Sequence, residues 1–300
     1  MFRDEIYEKK INNEINNKPI YIYLIFALAP CFILGILEAI TKTNTFYQIL
    51  AIAFTFIPVI AFCLTKRITK EKAKFHLSLC VWKNMKYWLL SSLLPAILIA
   101  IGAIIYYLIF PNEYSGIFKI GLKLGTNTEI IVKHHALIIL LCILVSSIFI
   151  PIQLLELGEE IGWRGYVLGF QVQKYGARKA VLINGIEWGI AHLPLVYFGF
   201  NYSLDNFGAP WTNMLMMIIL CINLGIILSF VTIKTKNCMY ASIIHGTVNV
   251  IGEMPVYFSK SFINGLLGPN PTGIITMIPL IIVAILCLIK LDNKNYIEII

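Results

Sequence analysis

Glu156, Glu159 and Glu160 stand at the end of a long apolar run, in the segment Glu156-Leu-Gly-Glu159-Glu160-Ile-Gly-Trp-Arg164-Gly-Tyr166. Ionisable groups at membrane depth are unfavourable. They persist mainly where they pair, line a wet cavity or do chemistry. On a helix Glu160 and Arg164 are four apart and can pair, whereas Glu159 points about 100° further round and stays free. One carboxylate held ionised beside a second that is desolvated and free to take a proton suits general-base chemistry. A structural ion pair at a helix end accounts for the same residues equally well.

Two further polar constellations interrupt apolar stretches. Trp188-Gly-Ile-Ala-His192-Leu-Pro194 places an aromatic ring and an imidazole four residues apart on one helix face, with a proline that would loosen the backbone and open room for water. His245-Gly-Thr-Val-Asn249 repeats the spacing with an imidazole and a carboxamide, which together can hold a water, an oxyanion or a metal. The structural alternatives are a hydrogen-bonded packing histidine and an interhelical polar pair. The chain has five histidines, and the two clearly within apolar spans both fall in these segments; His76, His134 and His135 lie in loops or at a boundary.

The elements that must position these groups are apolar helices. The 300-residue chain is 58% hydrophobic and 13% charged, with mean hydropathy +0.79, which excludes an ordinary soluble domain. Apolar stretches long enough to span a bilayer recur near residues 20–41, 46–65, 87–110, 136–157, 179–199, 211–233, 238–257 and 272–290. The expectation is an all-α polytopic bundle of about eight transmembrane helices. Its domains are a cytoplasmic segment at 1–19, one membrane-embedded domain at 20–290 with its catalytic core at 156–253, and a cytoplasmic tail at 291–300. The first span follows a polar leader, lacks a small-residue cleavage site and is expected to be retained.

Alternate loops hold 19 of the 24 Lys and Arg residues, so both termini are expected in the cytoplasm. Residues 66–86 read either as an amphipathic basic segment on the inner leaflet or as a basic loop. The net charge of +8 fits contact with anionic lipid rather than nucleic acid. Seven scattered cysteines form no C-x-x-C pair and read as small apolar side chains. The first constellation lies at the cytoplasmic end of span four, but His192, counted from residue 179, lies ~20 Å deep.

In this order the three segments resemble the CPBP family, the CAAX protease and bacteriocin-processing proteins. The family's E-E-x-x-x-R, F-x-x-x-H and H-x-x-x-N motifs read here as Glu159-Glu160-Ile-Gly-Trp-Arg164, Trp188-Gly-Ile-Ala-His192 and His245-Gly-Thr-Val-Asn249. Gly165-Tyr166, Leu193-Pro194 and Ala241-Ser242-Ile243-Ile244 agree as well, and Trp188 replaces the usual Phe. The resemblance covers about residues 156–253.

It implies an intramembrane endopeptidase near the cytoplasmic face. Glu159 would be the base that activates water and His192 would position that water. His245 and Asn249 would stabilise the oxyanion, and Glu160 with Arg164 would orient the site. Zinc held by Glu159, His192 and His245 is compatible with the donor set, and so is a metal-free mechanism, because there is no H-E-x-x-H helix. The implied partners are a polypeptide substrate and membrane lipid. The implied setting is the plasma membrane of a bacterium, in bacteriocin immunity or peptide maturation. The alternatives are a non-proteolytic immunity or scaffold protein and, last, a proton-coupled transporter, for which paired repeats are missing.

Overall fold

The computed structural model describes residues 17–41, 44–72, 77–118, 134–148, 150–260 and 265–291, with backbone alone for 44–51, 146–148 and 150–154. The expected N-terminal segment up to residue 16, most of the expected tail (292–300), His76 and residues 119–133 lie outside the described residues. The described residues form helices and contain no strand. They are α1 (Lys18–Thr41), α2 (Asn44–Thr69), α3 (Met85–Ile109), α4 (His135–Ile148), α5 (Ile150–Gly162), α6 (Leu168–Tyr175), α7 (Ala177–Tyr197), α8 (Trp211–Thr235), α9 (Met239–Ile251) and α10 (Ile274–Lys290).

Among the described residues, five stretches are long and apolar enough to cross a membrane: Lys18–Thr41, Ile52–Thr69, Val81–Ile109, Ala177–Tyr197 and Trp211–Thr235. His135–Val145 and Ile274–Lys290 are shorter apolar helices. Apolar side chains such as Ile25, Ile40, Ile104 and Leu108 stay exposed on the outside of the bundle, as expected of surfaces facing hydrocarbon. Prolines sit inside α1, α2, α3, α7 and α10. Membrane helices tolerate them where neighbours satisfy the freed backbone groups.

Two of the sequence expectations change. The seventh apolar stretch is cut to the 13 residues of α9, roughly 20 Å at 1.5 Å per residue. Nearly all of its side chains are buried. A helix enclosed by neighbours need not match the thickness of the bilayer, and Gly252 and Pro255 end it. The fourth stretch does not stop at the carboxylates. The helical path continues through α5, a wide π turn over Trp163–Val167, and α6. The acidic cluster therefore lies inside a helical run, because its charges are met by other helices rather than by water at a helix end.

Contacts between sequentially remote segments define the two ends of the bundle. At one end Arg178 donates to the carbonyls of Leu291 and Ile289 at 2.8 and 3.0 Å. There Tyr240 donates to the Val81 carbonyl at 2.9 Å, and Asn237 exchanges hydrogen bonds with the Ser78 backbone. At the other end Tyr107 donates to the Pro255 carbonyl at 2.7 Å, Ser115 N–H to Phe258 O at 2.8 Å, and Tyr202 to Thr272 O at 3.2 Å. The first end carries the connection between α2 and α3. Of the basic segment 66–86, residues 66–69 end α2, 81–84 form a 3-10 turn and 85–86 begin α3, and among the described residues no helix lies between Thr69 and Val81.

Lipid supplies little drive for helix association, so close backbone approach at small residues becomes the main adhesive. A Cβ at Gly158 would lie 2.5 Å from the Thr55 carbonyl oxygen, and one at Gly162 2.5 Å from that of Pro58. These two glycines, one turn apart, seat α5 on α2. The same logic joins α7 to α8, where a Cβ at Gly185 would meet Ile222 Cα at 2.8 Å. Gly162→Val should therefore destabilise the protein by about 1–3 kcal/mol through overpacking. Gly265→Ala, whose Cβ would meet only the Asn206 side chain at 3.5 Å, should be nearly neutral. Unfolding midpoints in detergent check both.

Candidate active site

The π turn gives the site its shape. Leu168 N–H reaches back to the Trp163 carbonyl, the five-residue spacing of a π bulge, a feature frequent at functional sites. The bulge is held from α7. Asn184, fully buried, donates to Trp163 O at 3.1 Å and to Gln171 Oε1 at 3.0 Å. Gln171 in turn donates to Glu187. Arg164 stands in this turn and points into the bundle, so it leaves the loop-charge count to which its sequence position had assigned it.

Glu160 and Arg164 form the expected pair at 3.1 Å, with both side chains fully buried. The same Glu160 oxygen lies 3.0 Å from His245 Nδ1. The Arg164 guanidinium lies over the Trp188 ring at 4.1 Å, a cation–π contact. Its outer side has room because Gly225 has no side chain; a Cβ there would sit 3.1 Å from Nη2. Trp188 also meets the rings of His192 and His245 edge-on, with centroids 5.4 and 5.2 Å away.

Glu159 is free of the Arg164 pair, as its helix phase requires, but it has a partner. The Trp188 indole N–H donates to Glu159 Oε2 at 2.8 Å. A phenylalanine, usual at this motif position in the resembling family, could not make that bond. His192 donates from Nδ1 to the Trp188 carbonyl at 2.9 Å; its other nitrogen is left for the cavity.

Glu156 had no task in the sequence reading. In the fold it accepts the Asn249 amide at 2.9 Å and lies 3.3 Å from His245 Nδ1. The available signal was its spacing: three and four residues before Glu159 and Glu160, it shares their side of the helix. The six sequence candidates Glu159, Glu160, Arg164, His192, His245 and Asn249 thus come from three remote segments into one cluster, joined by Glu156 and Trp188. Glu187 accepts a hydrogen bond from Gln171, and Glu253 lines the cavity.

A cavity of about 300 Å³ touches Glu156, Glu159, His192, His245 and Asn249. That is the low end for ligand sites. Apolar walls from Phe54, Leu195 and Leu220 enclose it. Water in such a place meets carboxylates that can take a proton and nitrogens that can donate to a developing oxyanion, in surroundings that strengthen both. One group of potential metal ligands occurs among the described residues. Glu156, Glu159 and His245 each offer an atom within 4.8 Å of the others. The set expected from sequence had His192 in place of Glu156.

Residues 136–251 match the family model described as type II CAAX prenyl endopeptidase Rce1-like. That range contains every candidate residue. The chain is also 30% identical over 114 residues to CAAX prenyl protease 2 of Methanococcus maripaludis. The match covers 36% of this chain and 42% of that protein, so it spans less than half of the relative.

Removing one partner of a buried pair strands the other charge, at a penalty of about 3–5 kcal/mol. Arg164→Ala should lower stability by that order. The double variant Glu160→Gln/Arg164→Met, which strands no charge, should recover a large part of it. Thermal unfolding in lipid nanodiscs measures both.

Proposed function

We propose that this chain, whose residues 136–251 match the Rce1-like type II CAAX prenyl endopeptidase model, is an intramembrane endopeptidase that hydrolyses peptide bonds of membrane-associated or peptide substrates. The observation that carries the reading is the cavity in which one carboxylate, Glu159, is oriented by an indole N–H while its neighbour Glu160 is consumed by Arg164 and His245. Glu159 takes a proton from water as that water attacks the scissile carbonyl. His192, its Nδ1 fixed on a backbone carbonyl, presents Nε2 to position the water. His245 and the second N–H of Asn249 face the oxyanion. Glu160, Arg164 and Glu156 hold those donors in place. Residues 156–253 form the catalytic core of one membrane-embedded domain at 20–290. The role that the family resemblance suggests is peptide maturation or bacteriocin self-immunity at a bacterial plasma membrane.

One observation favours a metal-assisted form of the same chemistry. Glu156, Glu159 and His245 supply three protein ligands, the number that a catalytic zinc takes, from donor types that zinc accepts. Among the described residues, Glu156 Oε2 is buried and accepts no hydrogen bond, its nearest charged neighbour being His245 Nδ1 at 3.3 Å. His245 is backed on Nδ1 by Glu160, as metal-binding histidines commonly are. These residues would hold the ion, which supplies Lewis acidity and an acidified water when bound.

Purified protein in lipid, offered a peptide library, should cleave. Glu159→Gln and His245→Ala should abolish cleavage, and a chelator should stop it only if the metal-assisted form operates. Immunity that survives Glu159→Gln would overturn the hydrolytic reading in favour of a scaffold, and cleavage that survives it would remove Glu159 from the role of base. Trp188→Phe, which keeps the ring and loses the N–H to Glu159, should lower kcat by roughly 10- to 100-fold, the rate equivalent of about 1.5–3 kcal/mol for a hydrogen bond to a charged group. Single-turnover assays read this directly.

A further inference from the structure

The cavity is asymmetric with respect to the two ends of the bundle. Apart from its helical walls, it is lined by Phe200 and Asn201 after α7, Gly252 and Glu253 after α9, and Pro271 and Thr272 before α10. All of these segments lie at the end marked by the Tyr107–Pro255 and Tyr202–Thr272 hydrogen bonds. None lies at the end marked by Arg178–Leu291 and Tyr240–Val81. Distances along α7 agree. His192 is roughly 22 Å from the α7 N-terminus and about 8 Å from its C-terminus at 1.5 Å per residue.

Charge is asymmetric in the opposite sense. With Arg164 buried in the site, the described Lys and Arg residues other than Lys260 fall at the end marked by Arg178–Leu291, in or beside the connections α2–α3, α6–α7 and α8–α9 and at the tips of α1 and α10. Positive charge marks the cytoplasmic side of a membrane protein.

We infer that the reaction chamber opens on the extracytoplasmic side, and that its substrate is an extended peptide segment presented there. This rests on the proposed hydrolytic function and replaces the cytoplasmic access expected from sequence. The sequence placed Glu159 and Glu160 at the cytoplasmic end of a span. The helical path continues through the π turn and α6 before it reaches that end, which leaves the carboxylates at mid-depth with the open space on their far side. A chamber of about 300 Å³ admits a stretch of unfolded chain and no folded domain. Asn201, Glu253 and Thr272 line it toward that end and are of the polar kind that hydrogen-bonds a peptide backbone.

Native cysteines provide the control. Cys80 is exposed and lies next to Val81 at the basic end. In a variant retaining Cys80, with the other six cysteines replaced by serine, Phe200→Cys reports on the mouth and Asp205→Cys on the adjacent loop. A membrane-impermeant maleimide applied to intact cells should label positions 200 and 205 to near completion, and Cys80 only after permeabilisation. Labelling of Cys80 in intact cells, or failure of position 200 to label in either condition, overturns the proposal. Sealed right-side-out vesicles separate it from the hydrolytic reading. Peptide added outside should be cleaved by wild type and not by Glu159→Gln. The expected labelling without cleavage would refute hydrolysis and leave the sidedness standing; cleavage confined to inverted vesicles would refute the sidedness alone.

Discussion

The structure depends on the burial of Glu160. A carboxylate wholly removed from water is tolerable only with charged and hydrogen-bonding partners, since the desolvation penalty is several kcal/mol per ion even after relaxation. Here one oxygen receives both Arg164 and His245. The first partner comes from the next turn of the same helical path, bulged so that it points inward. The second comes from α9, a short helix enclosed by the bundle. The π turn, its clamp by Asn184 and the burial of α9 all serve this contact.

That arrangement needs helices closer together than large side chains allow. Gly158 and Gly162 bring α5 onto α2, and Gly185 and Gly225 bring α7, α8 and the Arg164 guanidinium into one layer. Close approach puts the Trp188 ring over Arg164, against both imidazoles and within hydrogen-bond reach of Glu159. One side chain thereby couples the charge-neutralising half of the site to the half that faces the cavity. The division of labour between two adjacent carboxylates follows from this geometry. Consecutive helix positions diverge by about 100°, so the pair meets two different environments.

The polar groups that remain are distributed by the same rule. Glu156 takes the Asn249 amide and approaches His245, so α5 and α9 are bridged twice, one helical turn apart. The half-buried carboxylate of Glu187, which has no charged partner, is held by a glutamine that is itself tied through Asn184 to the π turn. Glu156, Glu159, Glu160 and Glu187 each have at least one hydrogen-bond partner on another helix. This is what keeps charged residues within an otherwise apolar bundle.

Composition and hydropathy alone determined the helical membrane architecture, because every backbone polar group within lipid must be satisfied inside its own helix. The i, i+4 spacings of Glu160 with Arg164, Trp188 with His192 and His245 with Asn249 made the candidate residues legible, since helix phase follows from sequence distance. Pairings between segments were not legible. The hydrogen bonds from Trp188 to Glu159, from Asn249 to Glu156 and from His245 to Glu160 join residues 29, 93 and 85 apart, and no local periodicity encodes them. The π turn was equally hidden: one extra residue per turn leaves no compositional mark, yet it carries the helix past the carboxylates and sets their depth. Only the tertiary structure decided which carboxylate meets which base and toward which end of the bundle the cavity lies, because those depend on how helices cross.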